Sequence, residues 1–305
     1  MNNKVFTKTE PMESTGFNAK LQAFAELTKL RISIMVLLTF CVAGVLAAGA
    51  EVSIGTLFCA AAGLLFIAAS GNAMNMYLER YTDFLMVRTS KRPLPDRRLS
   101  SMEVVMFASV CFGISMGIFL ATVNWQTALC GLATWVLYVC IYTPLKTRTW
   151  LNTEVGAIPG AMPILMGSLA TTGAVNIQSW AFFATLLFWQ FPHFMAIAWL
   201  YREQYRDGGH KMLTVIDPSG RRAGRKAVVT CGILILVSLI PALTFQTLLQ
   251  GTLFSTAALF LGCFYMRDSI RFAKNRSTQT ARGLLKTSII YLPLFMLALV
   301  IASLT

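Results

Sequence analysis

Asn75, Glu79 and Asp83 recur at every fourth position in the stretch Asn75-Met-Tyr-Leu-Glu79-Arg-Tyr-Thr-Asp83. On an α-helix that spacing lines three oxygen-bearing side chains along one face, drifting by roughly 40° per step. Two carboxylates and an amide so placed can hold a hard divalent cation such as Mg²⁺, which takes oxygen ligands. Arg88, Lys91 and Arg92 follow in Arg88-Thr-Ser-Lys91-Arg92-Pro93. Carboxylates, a metal ion and basic groups around one spot suit a diphosphate. Taken singly, each charge reads as a solvated helix end or part of an ordinary basic loop; the constellation points to a site.

A second acidic pair, Glu203 and Asp207, repeats the four-residue spacing. Two such clusters are expected to face each other across a cavity at one end of a helical bundle. If they converge, Asn75, Glu79, Asp83, Glu203 and Asp207 bind Mg²⁺ bridged to a diphosphate. Arg88, Lys91 and Arg92 then stabilise the charge that grows on a departing diphosphate. Tyr142 and Lys146 lie four apart at a helix end. Lys146 can touch a phosphate, and Tyr142 can hydrogen-bond it or stabilise an allylic cation through its ring; both also read as an interfacial anchor pair. An apolar interior opening onto this site suits a long isoprenoid tail.

These residues must be positioned by membrane-spanning helices. The chain has 305 residues, 56% hydrophobic and 13% charged, beyond what a soluble globular domain shows. Apolar runs of about twenty residues place nine spans at 32–50, 53–75, 104–123, 126–144, 153–172, 179–200, 227–246, 250–266 and 285–304. The expected fold is all-α: a polytopic membrane bundle of nine transmembrane helices around a central cavity, with the active site on the cytoplasmic side. Residues 1–28 read as a cytoplasmic N-terminal segment, disordered over 1–18, with a weak helical pattern along the interface over 19–29. Residues 29–305 read as one domain.

The net charge of +13 is distributed beside the spans, without a nucleic-acid motif. The connections near Glu51, Val123–Trp125, Thr171–Gln178 and Gln246–Gln250 contain no Lys or Arg, whereas the alternate loops hold the basic residues. That asymmetry puts the N-terminus and basic loops in the cytoplasm. All seven cysteines fall inside apolar runs without a CxxC spacing, so they read as small buried hydrophobes. No signal peptide is expected, because the N-terminus mixes charges without an apolar core.

Asn75-x3-Glu79-x3-Asp83, followed by Met86-x-Arg88-Thr-x-x-Arg92-Pro93-Leu94, resembles the first signature of the UbiA-type intramembrane prenyltransferases. Tyr142-Thr-Pro-Leu-Lys146, Asn152, Gly156-x3-Gly160-Ala-x-Pro163-x3-Gly167 and Trp189-Gln-x-Pro192-His193-Phe194 resemble the protoheme IX farnesyltransferase branch of that superfamily. So do Tyr201-Arg-Glu-x-Tyr205 and Gly209-x-x-Met212-Leu213. The resemblance implies farnesyl transfer from farnesyl diphosphate to the 2-vinyl group of haem B, giving haem O and diphosphate, with Mg²⁺ bridging the diphosphate and haem as substrate. It further implies the lipid bilayer of a bacterial inner membrane as home, with a haem A synthase or haem–copper oxidase assembly factors as partners.

Glu79 stands where the superfamily usually carries Asp, Gln204 where Asp is frequent, and Leu30 where Lys-Pro-Arg is common. The Leu30 change is expected to affect only the start of the first span. Within the resemblance, His193 either ligates haem iron or hydrogen-bonds a neighbouring helix. His210 reads as solvated, with a haem propionate or phosphate contact as the alternative. The Gly156/Gly160 pair is expected to let helices approach closely. Prenylation of an aromatic acid or quinone precursor is the rival chemistry, opposed by the block around His193. A transporter fits the topology but predicts ionisable residues deep in the spans, and nearly all charges here lie at the helix ends.

Overall fold

The computed structural model describes residues 16–304. Disorder expected over residues 1–15 lies outside them, while residues 17 and 18 already belong to the first helix. The elements are α1 Phe17–Leu27, α2 Leu30–Ala48, α3 Ile54–Phe84, α4 Ser101–Ile118, α5 Trp125–Val136, α6 Thr143–Leu145, α7 Asn152–Thr172, α8 Ile177–Leu200, α9 Arg202–Asp207, α10 Leu213–Ile216, α11 Arg221–Ser238, α12 Leu248–Lys274 and α13 Thr278–Leu304. Two π-helical turns interrupt them: α4 runs on through Phe119–Val123, and Leu137–Tyr142 joins α5 to α6. Among the described residues there is no strand, and nine helical stretches are long and apolar enough to cross a membrane.

Those nine match the expected spans in number and order, with different ends. The second span does not stop at residue 75. Its helix runs on to Phe84, so Asn75, Glu79 and Asp83 share one uninterrupted helix. Hydropathy ends a span where charges begin, but backbone hydrogen bonding continues as long as the polar face has partners. For the same reason α12 runs to Lys274 and α13 begins at Thr278.

Polar caps start several helices. Ser100 and Glu103 form a capping box on α4, as do Thr247 and Gln250 on α12. Asn124 and Asn176 accept the Thr127 and Ser179 N–H groups, each at 2.8 Å. Between helices, lipid supplies no hydrophobic drive, so close packing and interhelical hydrogen bonds hold the bundle. At Gly167 a Cβ would strike the Phe40 carbonyl, so the backbones of α2 and α7 touch there. Trp135 Nε1 on α5 donates to Ser70 Oγ on α3 at 3.0 Å, and Tyr265 OH on α12 donates to the Trp189 carbonyl on α8 at 3.0 Å.

Helix α1 occupies the stretch expected along the interface. It buries Ala23 and Leu27 while leaving Phe17 and Leu21 exposed. Lys20 pairs with Glu103 at 2.8 Å, and the Glu26 carboxylate takes both terminal nitrogens of Arg98 at 2.8 and 2.5 Å. These pairs tie the loop after α3 and the start of α4 to α1 at one polar end of the bundle.

Candidate active site

The polar end of α3 is a buried face. Asp83 is fully buried, and Asn75 and Glu79 nearly so. Charges held this way need partners, and three separate segments supply them. Arg92 Nη1, from the loop after α3, lies 2.6 Å from Asp83 Oδ2 and 3.9 Å from Glu79 Oε2. Lys146, at the end of α6, places Nζ 2.5 Å from Glu79 Oε1. Lys29 Nζ donates to Asn75 Oδ1 at 2.9 Å, and Asn75 Nδ2 donates to Thr143 Oγ1 at 3.1 Å.

Local structure explains these positions. Thr89 Oγ1 donates to the Asp83 carbonyl at 3.0 Å, folding the loop back so that Arg92 returns to the helix it follows. The π-helical turn before α6 lets Thr143 Oγ1 donate to the Tyr138 carbonyl at 2.8 Å. It also stacks Tyr138 on Tyr142, ring centroids 5.7 Å apart. Lys146 Nζ then lies 4.7 Å from the Tyr142 ring centroid, a cation–π contact. Tyr142 and Lys146 thus face one site rather than the lipid interface.

The expected role of Gly156 and Gly160 is corrected here. A Cβ at Gly156 would fall on the Tyr142 ring, and one at Gly160 on the Gln190 carboxamide. Both glycines seat side chains; the backbone-to-backbone approach belongs to Gly167.

One residue enters that sequence reasoning missed. Lys29 adopts the left-handed backbone conformation, with φ at 50°, which turns its side chain from the junction of α1 and α2 into the cluster. Burial, then the charges of Arg92 and Lys146, pull its pKa down to about 7. The change at Leu30 therefore adjoins a site residue, not just the start of a span. His210 was expected in solvent and is instead buried, because its loop folds under Tyr205. Burial pulls its pKa down to about 4. Burial opposes the charge of Lys146, but the Glu79 carboxylate outweighs it and holds that ammonium above the usual lysine range.

Other expected residues stay apart. Lys91 is exposed, and its carbonyl accepts from Arg98 at 2.8 Å. Arg88 is exposed at the rim, its guanidinium 5.0 Å from the Tyr201 ring centroid and its N–H donating to Gln204 Oε1 at 3.0 Å. Gln204 thus ties the two loops together. The two acidic clusters do not converge: the Glu203 and Asp207 side chains are 71% and 59% exposed, each 3.7 Å from the adjacent arginine, Arg202 and Arg206. The chain bends at Tyr201, so α9 is a separate short helix that turns its acids toward solvent. Among the described residues no group of three or more His, Cys, Asp or Glu forms a metal cluster. His193 Nδ1 lies 2.7 Å from Ser288 Oγ on α13 and its ring stacks on Trp189. These contacts link helices and do not reach the Glu79 cluster.

What remains on α3 fits a hard cation shared with an anionic ligand. Asp83 Oδ1 is buried without a hydrogen-bond partner. It shares a helix face with the Glu79 carboxylate and the Asn75 amide oxygen, an all-oxygen donor set. Three basic groups facing two carboxylates leave room for further negative charge.

Comparison with known proteins finds relatives over most of the chain. The chain is 42% identical over 237 residues to a protoheme IX farnesyltransferase of Solibacter usitatus, covering 76% of this chain and 78% of that one. It is 38% identical over 283 residues to a protoheme IX farnesyltransferase of Rhodopirellula baltica, covering 90% and 97%. Its fold superposes with a TM-score of 0.69 and 15% identity on a UbiA homologue from Archaeoglobus fulgidus bound to GPP and Mg²⁺, covering 91% and 99%. Residues 36–299 match the UbiA prenyltransferase family, and the chain belongs to it.

Proposed function

We propose that the protein transfers the farnesyl group of farnesyl diphosphate to the 2-vinyl group of protoheme IX, making haem O. The observation that carries this reading is the buried row Asn75, Glu79 and Asp83 facing Lys29, Arg92 and Lys146 at the end of an apolar bundle. The names of relatives at 42% and 38% identity support haem as the acceptor.

In this reading the carbon–oxygen bond of the allylic diphosphate breaks and the electron pair leaves with diphosphate. Lys146, Arg92 and Lys29 stabilise that charge; being preorganised by their own ion pairs, they need little rearrangement. The Tyr142 ring, stacked with Tyr138 and beside Lys146, would stabilise the allylic cation through its π-electrons. The terminal vinyl carbon attacks the allylic carbon, water adds to the cation left on the inner vinyl carbon, and one proton is released. Mg²⁺, held by Asn75, Glu79 and Asp83, would neutralise diphosphate charge when bound. Glu203 and Asp207 lie on the facing loop and would have to turn inward to share it. At His193, Nδ1 is engaged by Ser288, leaving Nε2 as the nitrogen for a haem contact. The basic end of the bundle is cytoplasmic in this reading, by the charge asymmetry of the loops.

The test uses purified protein with farnesyl diphosphate, Mg²⁺ and either haem B or 4-hydroxybenzoate, with products identified by mass. Haem B should gain one farnesyl group and one hydroxyl, and 4-hydroxybenzoate should be unchanged. Prenylated 4-hydroxybenzoate without haem O would replace this reading with quinone-type transfer.

A further inference from the structure

His210 is 3% exposed, and neither Nδ1 nor Nε2 has a hydrogen-bond partner. An imidazole buried this way gives up its hydrogen bonds to water and gains none. The loop is nevertheless pinned in place. His210 N–H donates to the Tyr205 carbonyl at 2.8 Å, Lys211 N–H donates to the Lys146 carbonyl at 2.7 Å, and Asn152 Nδ2 donates to the Lys211 carbonyl at 3.1 Å. The Tyr205 ring packs beside the imidazole, centroids 5.7 Å apart. These contacts hold the loop that carries His210 against the backbone of Lys146 and the ring against Tyr205.

Its charged surroundings are Glu79, Lys146, Arg88 and Arg92. Lys146 and Arg92 are paired with Glu79 and Asp83, and Arg88 at the rim adds positive charge without a carboxylate of its own, a field that favours an anion. Lys29, Arg92 and Lys146 each already serve an oxygen of the α3 face. The imidazole serves none, so its donor is available without breaking an ion pair. A neutral imidazole always carries one N–H, and a hydrogen bond to a charged oxygen is the stronger kind.

We propose that His210 is a further substrate-binding residue of this site, donating a ring N–H to an oxygen of the prenyl diphosphate held by Lys146 and Arg92. The inference rests on the prenyl-transfer reading above and adds a residue to its diphosphate half. It explains why a ring with two unpaired nitrogens is held under Tyr205 rather than released to solvent.

The experiment measures binding of farnesyl diphosphate and of inorganic pyrophosphate, each with Mg²⁺, to the full-length protein in detergent by calorimetry. His210→Phe keeps a ring and removes the donor; His210→Gln keeps a donor. The phenylalanine variant should bind both diphosphates about tenfold more weakly, the loss of one hydrogen bond to a charged group. The glutamine variant should recover to within about threefold, and haem B binding, followed by absorption, should be unchanged in both. Melting temperatures report folding, and His210→Met replaces the phenylalanine variant if the bulkier ring is not tolerated. Diphosphate binding that is insensitive to the substitution overturns the assignment alone. Loss of haem B affinity with diphosphate affinity intact also overturns it, placing His210 on the acceptor. A wild-type protein that binds neither diphosphate overturns the prenyl-transfer reading together with it.

Discussion

Glu79→Gln separates charge from shape at the centre of the site. The side chain keeps its volume, and two cations lose a partner: Lys146 at 2.5 Å and Arg92 at 3.9 Å. Arg92 retains Asp83 at 2.6 Å, so the cost falls on Lys146, whose side chain is 15% exposed. Removing one partner of a buried ion pair costs about 3–5 kcal/mol, because the other charge stays buried. The amide still accepts a hydrogen bond from Lys146, which puts this case at the low end, about 3 kcal/mol. Adding Lys146→Met removes the stranded charge, so the double variant should regain much of the loss, with a coupling energy of about 1–3 kcal/mol.

Turnover should not follow stability. Single and double variants should both fall by at least about 100-fold, since the groups that meet the diphosphate are altered in each. Both readouts come from the same purified samples: equilibrium unfolding in mixed SDS–detergent micelles and product formation at saturating substrates. A Glu79→Gln protein as stable as wild type, or a double variant no more stable than the single, refutes the pairing. Near-normal turnover in the single variant refutes the placement of Glu79 at the diphosphate.

A reporter fused after Arg92, Lys146 or Lys211 should read cytoplasmic and one after Ala174 external; an external signal at any basic loop would break the nine-span topology. Gly156→Ala should push Tyr142 off Lys146, costing about 1–3 kcal/mol and lowering turnover, whereas Gly113→Ala, with nothing within 4 Å of a new Cβ, should be silent in both assays. Equal melting temperatures for the two would dismiss the Tyr142 seat. Glu203→Gln and Asp207→Asn should change stability by less than about 0.5 kcal/mol, as exposed charges do. Lost turnover at unchanged stability would then mark their recruitment to the bound metal, and a lower melting temperature would contradict their exposure. His193→Ala and Ser288→Ala should both lower the melting temperature, while only the first should alter the spectrum of bound haem; an unchanged spectrum would remove His193 from the acceptor site.

The spans and the α3 site face were legible in the sequence because both are local periodic properties. Twenty apolar residues must cross the bilayer as helix, since backbone groups find no partners in lipid. A four-residue spacing of Asn75, Glu79 and Asp83 puts them on one face whatever surrounds the helix. Tyr142 and Lys146 were legible for the same reason, though the π-helical turn that aims them was not.

Which charges meet which was decided only by the tertiary structure. Lys91 and Arg92 are neighbours in the chain, yet the Thr89–Asp83 hydrogen bond folds the loop so that Arg92 alone turns inward. Glu203 and Asp207 carry the spacing of Glu79 and Asp83, but the bend at Tyr201 detaches their helix from the span and turns them outward. Lys29 and His210 have no telling spacing at all. A left-handed residue at one helix junction and a loop pinned to Lys146 bring them inward. Such positions depend on long-range packing, where a single φ angle or one interloop hydrogen bond chooses between solvent and site. Local sequence pattern carries no record of that choice.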